Sequence, residues 1–148
     1  MLVRKLVSAD LNQLLALYKH LHAQDDPLPE QSVVNDTWAE IMANPRSHYF
    51  GGFVDDVLVS SCALTVIPNL TRGCRPYGII ENVVTNANYQ RRGYATALLT
   101  AALTHAWSNN CYKVMLLTGR KDEATLRFYE AAGFDRHGKQ AFIAKPAD

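Results

Sequence analysis

The chain lacks most features of exported, membrane-spanning or disulfide-linked proteins. It has three cysteines in 148 residues, and none of them forms a CxxC pair. This odd, scattered set predicts reduced thiols that pack in a core, as expected for a cytoplasmic protein. No apolar run approaches the roughly 18 residues of a membrane helix. Because Arg4, Lys5 and Asp10 interrupt its apolar positions, the N-terminal segment does not have the pattern of a signal peptide.

The chain also lacks a charge excess. Its formal net charge is +1, which gives no general attraction to nucleic acid or anionic lipid. We therefore expect no nucleic-acid or membrane partner, and any anion site has to be local. The length of 148 residues and the hydrophobic content of 48% are typical of one globular domain. We expect a single domain over residues 1–148, with no internal repeat.

Apolar periodicity and turn signals predict the order of helices and strands. Ser8 is the predicted cap of the first helix, Asp55-Asp56 is a predicted hairpin turn, and Gly133 is the predicted C-terminal glycine of the last helix. The predicted elements are a strand at 2–7, helices at 8–22 and 32–43, strands at 47–54, 57–67 and 77–85, a helix at 94–109, a strand at 111–117, a helix at 122–133 and a strand or hairpin at 134–143.

This order predicts an α/β fold with a mixed, mostly antiparallel sheet. The strand, helix and strand over residues 77–117 imply a parallel βαβ crossover, which we expect at the centre of the sheet. The earlier hairpins imply antiparallel neighbours. Since the helices occur before and after the hairpins, we expect them on both faces of the sheet.

A basic glycine turn opens the most regular helix. The stretch "YQRRGYATALL" places Gln90, Arg91 and Arg92 just before Gly93, with Ala95 two residues later. The first turn of a helix presents free N–H groups and a partial positive charge, and small residues let a ligand approach that backbone. Arginine side chains add donors suited to a diphosphate. The pattern alone is also consistent with a basic surface turn.

Two segments together resemble one family. The stretch "VVTNANYQRRGYATALL", followed by "LRFYEAAGF", is similar to the acetyl-CoA pyrophosphate motif and the C-terminal motif of the GCN5-related N-acetyltransferases (GNAT family). The resemblance covers about residues 77–134. Within the family, "IIENVV" and "CYKV" look most like segments of glucosamine-6-phosphate N-acetyltransferases.

The resemblance implies the GNAT fold, with acetyl-CoA as cosubstrate and no metal. The donor would lie in a V-shaped opening between the strands at 77–85 and 111–117, where strand backbone pairs with the pantetheine arm and polarises the thioester carbonyl. An amine would attack directly, so no cysteine has to act as a nucleophile. The implied cofactor contacts are Val83, Val84, Gln90, Arg91, Arg92, Gly93, Tyr94, Ala95, Thr96, Asp122 and Phe128.

Two side chains are implied as catalytic residues. Tyr129, in the family's F-Y-E stretch, would protonate the leaving CoA thiolate, since a phenol and a thiol have neighbouring pKa values. Glu81 would take the proton of the amine, directly or through water. It lies in the apolar stretch "IIENVV", where a carboxylate is costly unless it is used or paired. A core tyrosine and a solvent-facing strand glutamate are the alternative interpretations.

The acceptor is described less clearly by the sequence. The expected substrate is a primary amine of a small molecule, such as an amino-sugar phosphate, and Arg72 and Arg75 in the loop at 68–76 could bind its phosphate or carboxylate. A protein lysine or N-terminal acetyltransferase and a non-catalytic CoA-binding module are alternatives. His20 and His22 do not indicate a metal site, because residues two apart on a helix point to different sides. The resemblance also implies a homodimer.

Overall fold

The computed structural model describes residues 1–147, which form five strands and five helices. The strands are β1 (Leu2–Lys5), β2 (Ser47–Val54), β3 (Val57–Ile67), β4 (Tyr77–Thr85) and β5 (Val114–Leu116). The helices are α1 (Leu11–Tyr18), α2 (Gln31–Ala43), a single irregular turn α3 (Thr71–Cys74), α4 (Tyr94–Ser108) and α5 (Glu123–Ala131). Short 3-10 turns, Ser8–Asp10 and Ala87–Tyr89, precede α1 and α4. In this part of the chain, no helix is long and apolar enough to cross a membrane.

The five strands form one sheet in the order β1-β2-β3-β4-β5. The first three pairings are antiparallel, and β4 pairs with β5 in parallel. Asp55 and Asp56 both have left-handed backbone, with φ of 48° and 62°, as a tight turn with the twist of a hairpin requires. The α/β class and the mixed, mostly antiparallel sheet with a parallel crossover are confirmed.

Helices cover both faces of the sheet, as predicted. On one face α4 buries Leu98 and Leu99 in a cluster with Leu64 and Ile80. Burying a leucine or isoleucine side chain contributes about 1.5–3 kcal/mol, so this cluster is a main source of stability. On the other face α1 and α2 bury Leu14, Leu17 and Trp38 in a second cluster.

Strand β4 contains a β-bulge in its second half. Ala63 of β3 is opposite Glu81 of β4, and Ser61 of β3 is opposite Val84 of β4. The two β3 residues are two positions apart, whereas their β4 partners are three positions apart. The extra residue falls at Asn82, whose φ is 53°. Side chains of a regular strand return to the same face every second residue, yet Ile80 belongs to the α4 cluster and Val84 to the α1–α2 cluster. The bulge therefore exchanges the two faces of β4 halfway along the strand.

The first helix differs from the prediction at both ends. Asp10, and not Ser8, stands at its N-terminus, where the Asp10 carboxylate accepts the Val7 N–H at 2.7 Å and pairs with the Arg4 guanidinium at 2.7 and 3.0 Å. The helix ends at Tyr18 instead of residue 22, because the following N–H groups bond three residues back and tighten into a turn.

The last part of the chain also differs. Strand β5 is shorter than the predicted 111–117, because β4 and β5 stop pairing at Ile80 and Leu116, just before the bulge. Within residues 1–147 no strand follows α5, so the prediction of a strand at 134–143 is wrong, and the crossover lies at the edge of the sheet. Arg136 ties this segment to α5 through its ion pairs with Glu123 and Glu130, at 2.9 and 2.7 Å.

Candidate active site

A cleft opens where β4 and β5 diverge. It has a volume of about 1040 Å³. Its walls come from the second half of β4, the start of α4, the loop after β5 and the start of α5, and the turn after α1 closes one side. The parallel pairing ends just below this point, so the cleft is the V-shaped opening that the sequence resemblance implies.

One end of the cleft is the N-terminus of α4. Gly93 stands before the first helical residue with φ of 78°, and Arg91 is also left-handed with φ of 60°. The first intrahelical bond in this turn runs from the Ala97 N–H to the Gly93 carbonyl. The N–H groups of the preceding helical residues are therefore available to an anion, and the helix dipole adds partial positive charge.

Most of the predicted site residues meet in the cleft. The lining residues that the sequence singled out are Glu81, Val83, Val84, Gln90, Arg91, Gly93, Tyr94, Ala95, Thr96, Asp122, Phe128 and Tyr129. Arg92 does not line the cleft, and its guanidinium lies 5.4 Å from the centre of the ring of Tyr89, a residue of the cleft wall. Arg72 and Arg75 do not line it either.

Tyr129 lies on α5, lines the cleft and packs beside two other aromatic rings. Its ring centre is 5.0 Å from that of Phe128 and 6.3 Å from that of Phe134. Burial raises the pKa of Tyr129, and the Glu81 carboxylate adds to this rise while Arg120 acts against it. The phenol is therefore protonated at neutral pH, as a proton donor has to be, and it is close enough to Glu81 for their charges to interact.

Glu81 is exposed in the cleft. Its side chain is thus solvent-facing although the stretch around it is apolar, since Ile80 and Val84 of the same strand turn into the two cores. A solvated carboxylate on the cleft wall can still accept a proton through water.

Asp122 begins α5 as an N-cap residue. Its carboxylate accepts the Thr125 N–H at 3.0 Å and the Thr125 hydroxyl at 2.8 Å. These two hydrogen bonds lower the pKa of Asp122. The carboxylate is thus engaged with its own helix, which satisfies a free N–H group there.

Arg72 and Arg75 form a basic cluster with Lys113 around Tyr112. Both guanidinium groups lie 5.8 Å from the centre of the Tyr112 ring, and the Lys113 ammonium lies 5.3 Å from it. The cluster stands beside Tyr77, at the start of β4. Glu81 is four residues further along the strand, a distance of about 13 Å at 3.3 Å per residue.

Several cleft residues were not found from the sequence. His20 and His22 both line the cleft. Since α1 ends at Tyr18, these two residues are not helical, and the argument that residues two apart on a helix point to different sides does not apply to them. Asn82 lines it through the bulge, and Thr118, Gly119 and Arg120 line it after β5. The position of this last loop, directly after a strand that ends at the cleft, was the available signal for its three residues.

Comparison with known proteins identifies the family. The model of the acetyltransferase (GNAT) family matches residues 11–134, most of the chain. The chain belongs to the GNAT family. This GNAT chain is an acetyl-CoA-dependent N-acetyltransferase, and the resemblance seen in the sequence is confirmed.

Relatives of this GNAT chain include proteins named as glucosamine 6-phosphate N-acetyltransferases. It is 33% identical to glucosamine 6-phosphate N-acetyltransferase of Trypanosoma brucei brucei, over 93% of this chain and 91% of that protein. A candidate acetyltransferase from Agrobacterium tumefaciens str. C58 is 38% identical, with a TM-score of 0.90, over 98% of this chain and 100% of that one. Glucosamine-6-phosphate N-acetyltransferase from Arabidopsis thaliana, 18% identical with a TM-score of 0.85 over 99% and 98% of the two chains, shares the fold.

Proposed function

We propose that this enzyme transfers the acetyl group of acetyl-CoA to the primary amine of a small molecule, an amino-sugar phosphate such as glucosamine 6-phosphate. The observation that carries the proposal is the cleft, which has the open N-terminus of α4 at one end and Glu81 with Tyr129 along its walls. The likeness to the Trypanosoma brucei brucei enzyme over 93% of the chain supports this acceptor class. We propose one acetyltransferase domain over residues 1–148.

The α4 end of the cleft is the proposed site of the CoA pyrophosphate. Gly93 has no Cβ in a left-handed position, and Ala95 is small, so phosphate oxygens can approach the backbone N–H groups closely. Arg91, at the same turn, supplies a guanidinium. Arg92 is the weaker candidate, since it does not line the cleft. The pantetheine arm would run along Val83 and Val84 of β4, facing Phe128.

Acetyl-CoA supplies the thioester that the amine attacks. The proposed role of Glu81 is to accept the proton of the amine, by way of water in the open cleft. The proposed role of Tyr129 is to donate its phenolic proton to the departing thiolate. Burial raises the pKa of this phenol, so the proton is present at neutral pH. Among the described residues, neither Glu81 nor Tyr129 takes part in an ion pair.

The basic cluster of Arg72, Arg75 and Lys113 is the proposed contact of the acceptor phosphate. It combines three cations, and no ion pair of the described residues involves them. It lies about 13 Å from Glu81 along β4. Arg72→Ala with Arg75→Ala should raise the KM of glucosamine 6-phosphate and leave that of unphosphorylated glucosamine unchanged. An equal effect on both sugars would remove the cluster from phosphate binding.

A homodimer in the cytoplasm is the proposed assembly and location. The three cysteines are free thiols, which suits a reducing compartment. Phe142 and Ile143 are 89% and 69% exposed, and such a pair gains free energy when a second copy covers it. Light scattering should give twice the chain mass, and Phe142→Ser with Ile143→Ser should give monomers. Leu70→Ser, at an 88% exposed position, is the matched control, and a monomeric wild type would contradict the dimer.

An amine panel tests the reaction. The protein is incubated with acetyl-CoA and with amino sugars, their phosphates, polyamines, aminoglycosides or lysine peptides, and released CoA is measured. We expect the highest kcat/KM for an amino-sugar phosphate. Preference for peptides would indicate a protein acetyltransferase, and tight CoA binding without turnover would indicate a binding module.

Tyr129→Phe tests the proton donor. Loss of a general acid lowers kcat by about 100-fold or more, and we expect a KM for acetyl-CoA within a factor of two of wild type. Tyr49→Phe removes a phenol outside the cleft and is expected to keep wild-type kcat. Retention of kcat in Tyr129→Phe would exclude the proposed role.

A further inference from the structure

Two hydroxyl groups at the end of β4 form a polar pair that the reaction described above does not use. Ser60 of β3 is fully buried, and its Oγ lies 2.7 Å from Thr85 Oγ1. The Ser60 hydroxyl also donates to the Val84 carbonyl at 2.9 Å. A buried hydroxyl is costly unless it is hydrogen-bonded, and these two contacts satisfy it.

The direction of the hydrogen bonds in this pair follows from the protons that are available. A serine hydroxyl has one proton, and a carbonyl oxygen can only accept. The Ser60 proton is used on the Val84 carbonyl, so Thr85 has to be the donor in the bond between the two hydroxyls. Since the Thr85 proton is used on Ser60, the Thr85 oxygen offers only lone pairs to any further partner.

Thr85 connects this pair to the cleft. Ser60 is opposite Thr85 in the pairing of β3 with β4, so the two side chains share one face of the sheet. Cys62, two residues after Ser60, belongs to the α4 cluster, which places this face towards α4. Among the described residues, the cleft walls include Thr85 but not Ser60. Ser60 can therefore act on a ligand only through Thr85.

Thr85 also lies between the two parts of the proposed donor site. It follows Val83 and Val84, along which the pantetheine arm would run, and it precedes the glycine turn before α4. Gln90 of that turn bonds back to it, since Gln90 Nε2 donates to the Thr85 carbonyl at 3.5 Å. A ligand that spans the strand and the turn therefore passes Thr85.

We propose that Thr85 Oγ1 accepts a hydrogen bond from the pantetheine arm of the donor, and that Ser60 is the positioning residue that keeps this oxygen in its accepting state. The pantetheine arm carries amide N–H groups and a hydroxyl, all of which are donors. Because Ser60 takes up the Thr85 proton, the Thr85 hydroxyl does not have to be reoriented when the donor binds. This inference rests on the donor site proposed above.

Thr85→Val and Ser60→Ala test the inference by removing one hydroxyl each. A neutral hydrogen bond corresponds to about a two- to tenfold change in affinity, so the Kd of CoA, measured by calorimetry, should rise by that factor in Thr85→Val. Thr85→Ser keeps the hydroxyl and should bind CoA as the wild type does. Ser60→Ala should raise the Kd in the wild type but not in Thr85→Val, where no Thr85 hydroxyl is left to position.

A second ligand separates this contact from a general loosening of the site. The ribose-phosphorylated ADP portion of CoA contains the pyrophosphate but no pantetheine arm, so Thr85→Val and Ser60→Ala should both bind it within about a factor of two of the wild type. Ser61→Ala is the matched control, because Ser61 is equally buried and its hydroxyl donates to the Phe50 carbonyl of β2 at 3.0 Å. It should lower the thermal midpoint as Ser60→Ala does and leave the Kd of CoA unchanged.

Equal weakening of CoA and of its ADP portion would overturn the inference, since the pair would then only support the strand. A Thr85→Val variant that binds CoA as tightly as the wild type would also refute it, and so would an equal effect of Ser60→Ala with and without the Thr85 hydroxyl. If the wild type binds neither CoA nor its ADP portion, the proposed donor site itself is wrong. That result differs from an unchanged Kd in the variants, so the two failures can be told apart.

Discussion

Replacing His48 with glutamine should reduce the acid sensitivity of the fold. His48 on β2 packs against His105 of α4, with ring centres 4.2 Å apart, and the Lys5 ammonium lies 3.2 Å from His48 Nδ1. Burial lowers the pKa of His48 from 6.5 to about 4, and the charges of Lys5 and His105 add to this. The folded protein therefore keeps this imidazole neutral at pH values where the unfolded chain protonates it.

The sign and size of the effect follow from proton linkage. Between pH 6.5 and about 4 the unfolded chain binds more protons at this position, so the free energy of unfolding falls as the pH falls. At 1.36 kcal/mol per pH unit, the full pKa difference would amount to about 3 kcal/mol. Since the side chain is partly exposed and screened by solvent, we expect about 1 kcal/mol between pH 7 and pH 5.

Urea unfolding at the two pH values measures this effect. The loss of stability from pH 7 to pH 5 should be about 1 kcal/mol smaller in His48→Gln than in the wild type. His137→Gln, at an exposed histidine, should behave as the wild type does. An identical pH dependence in His48→Gln would refute the assignment of the acid sensitivity to the Lys5, His48 and His105 group.

Two further predictions concern the backbone and an ion pair. Gly93→Ala should lower the free energy of unfolding by about 1–2 kcal/mol, because the backbone at this position is left-handed. Gly119→Ala is the control and should cost less, since Gly119 also lines the cleft and no described atom lies within 4 Å of the added Cβ. Equal losses in the two variants would contradict the strain at Gly93. Asp10→Asn should lower stability by about 1–3 kcal/mol at pH 7, because it weakens the hydrogen bonds of a buried carboxylate to Arg4. Because these bonds lower the pKa of Asp10, the loss relative to wild type should shrink at acidic pH, and a loss that is constant down to pH 2 would be inconsistent with the pairing.

Local signals in the sequence were sufficient for the central strands and helices. The Asp55-Asp56 turn, the boundaries of β4 and the periodic helix after Gly93 depend on residues within a few positions of one another. The glycine turn before α4 was predicted for the same reason, since Gly93 and the helix that follows are adjacent in the chain.

Features that depend on distant partners were not predictable in this way. The bulge at Asn82 results from the pairing of β4 with β3, and "IIENVV" alone reads as a regular strand. The start of α1 depends on an ion pair between Arg4 and Asp10. The segment at 134–143 has strand-forming residues, but Arg136 holds it to α5. His20 and His22 were missed because the end of α1 was placed too late.

The exchange of faces at Asn82 has a consequence for how the enzyme can diversify. Ile80, before the bulge, is anchored by α4, which carries the helix N-terminus at one end of the cleft. Val84, after it, is anchored by α1 and α2, and the turn after α1 forms another wall. The two halves of β4 thus pack against two separate cores. Mutations that repack α1 and α2 can reshape one wall of the cleft while α4 keeps the other in place. If α4 holds the donor, as proposed above, such mutations would alter the opposite wall and leave the donor end unchanged.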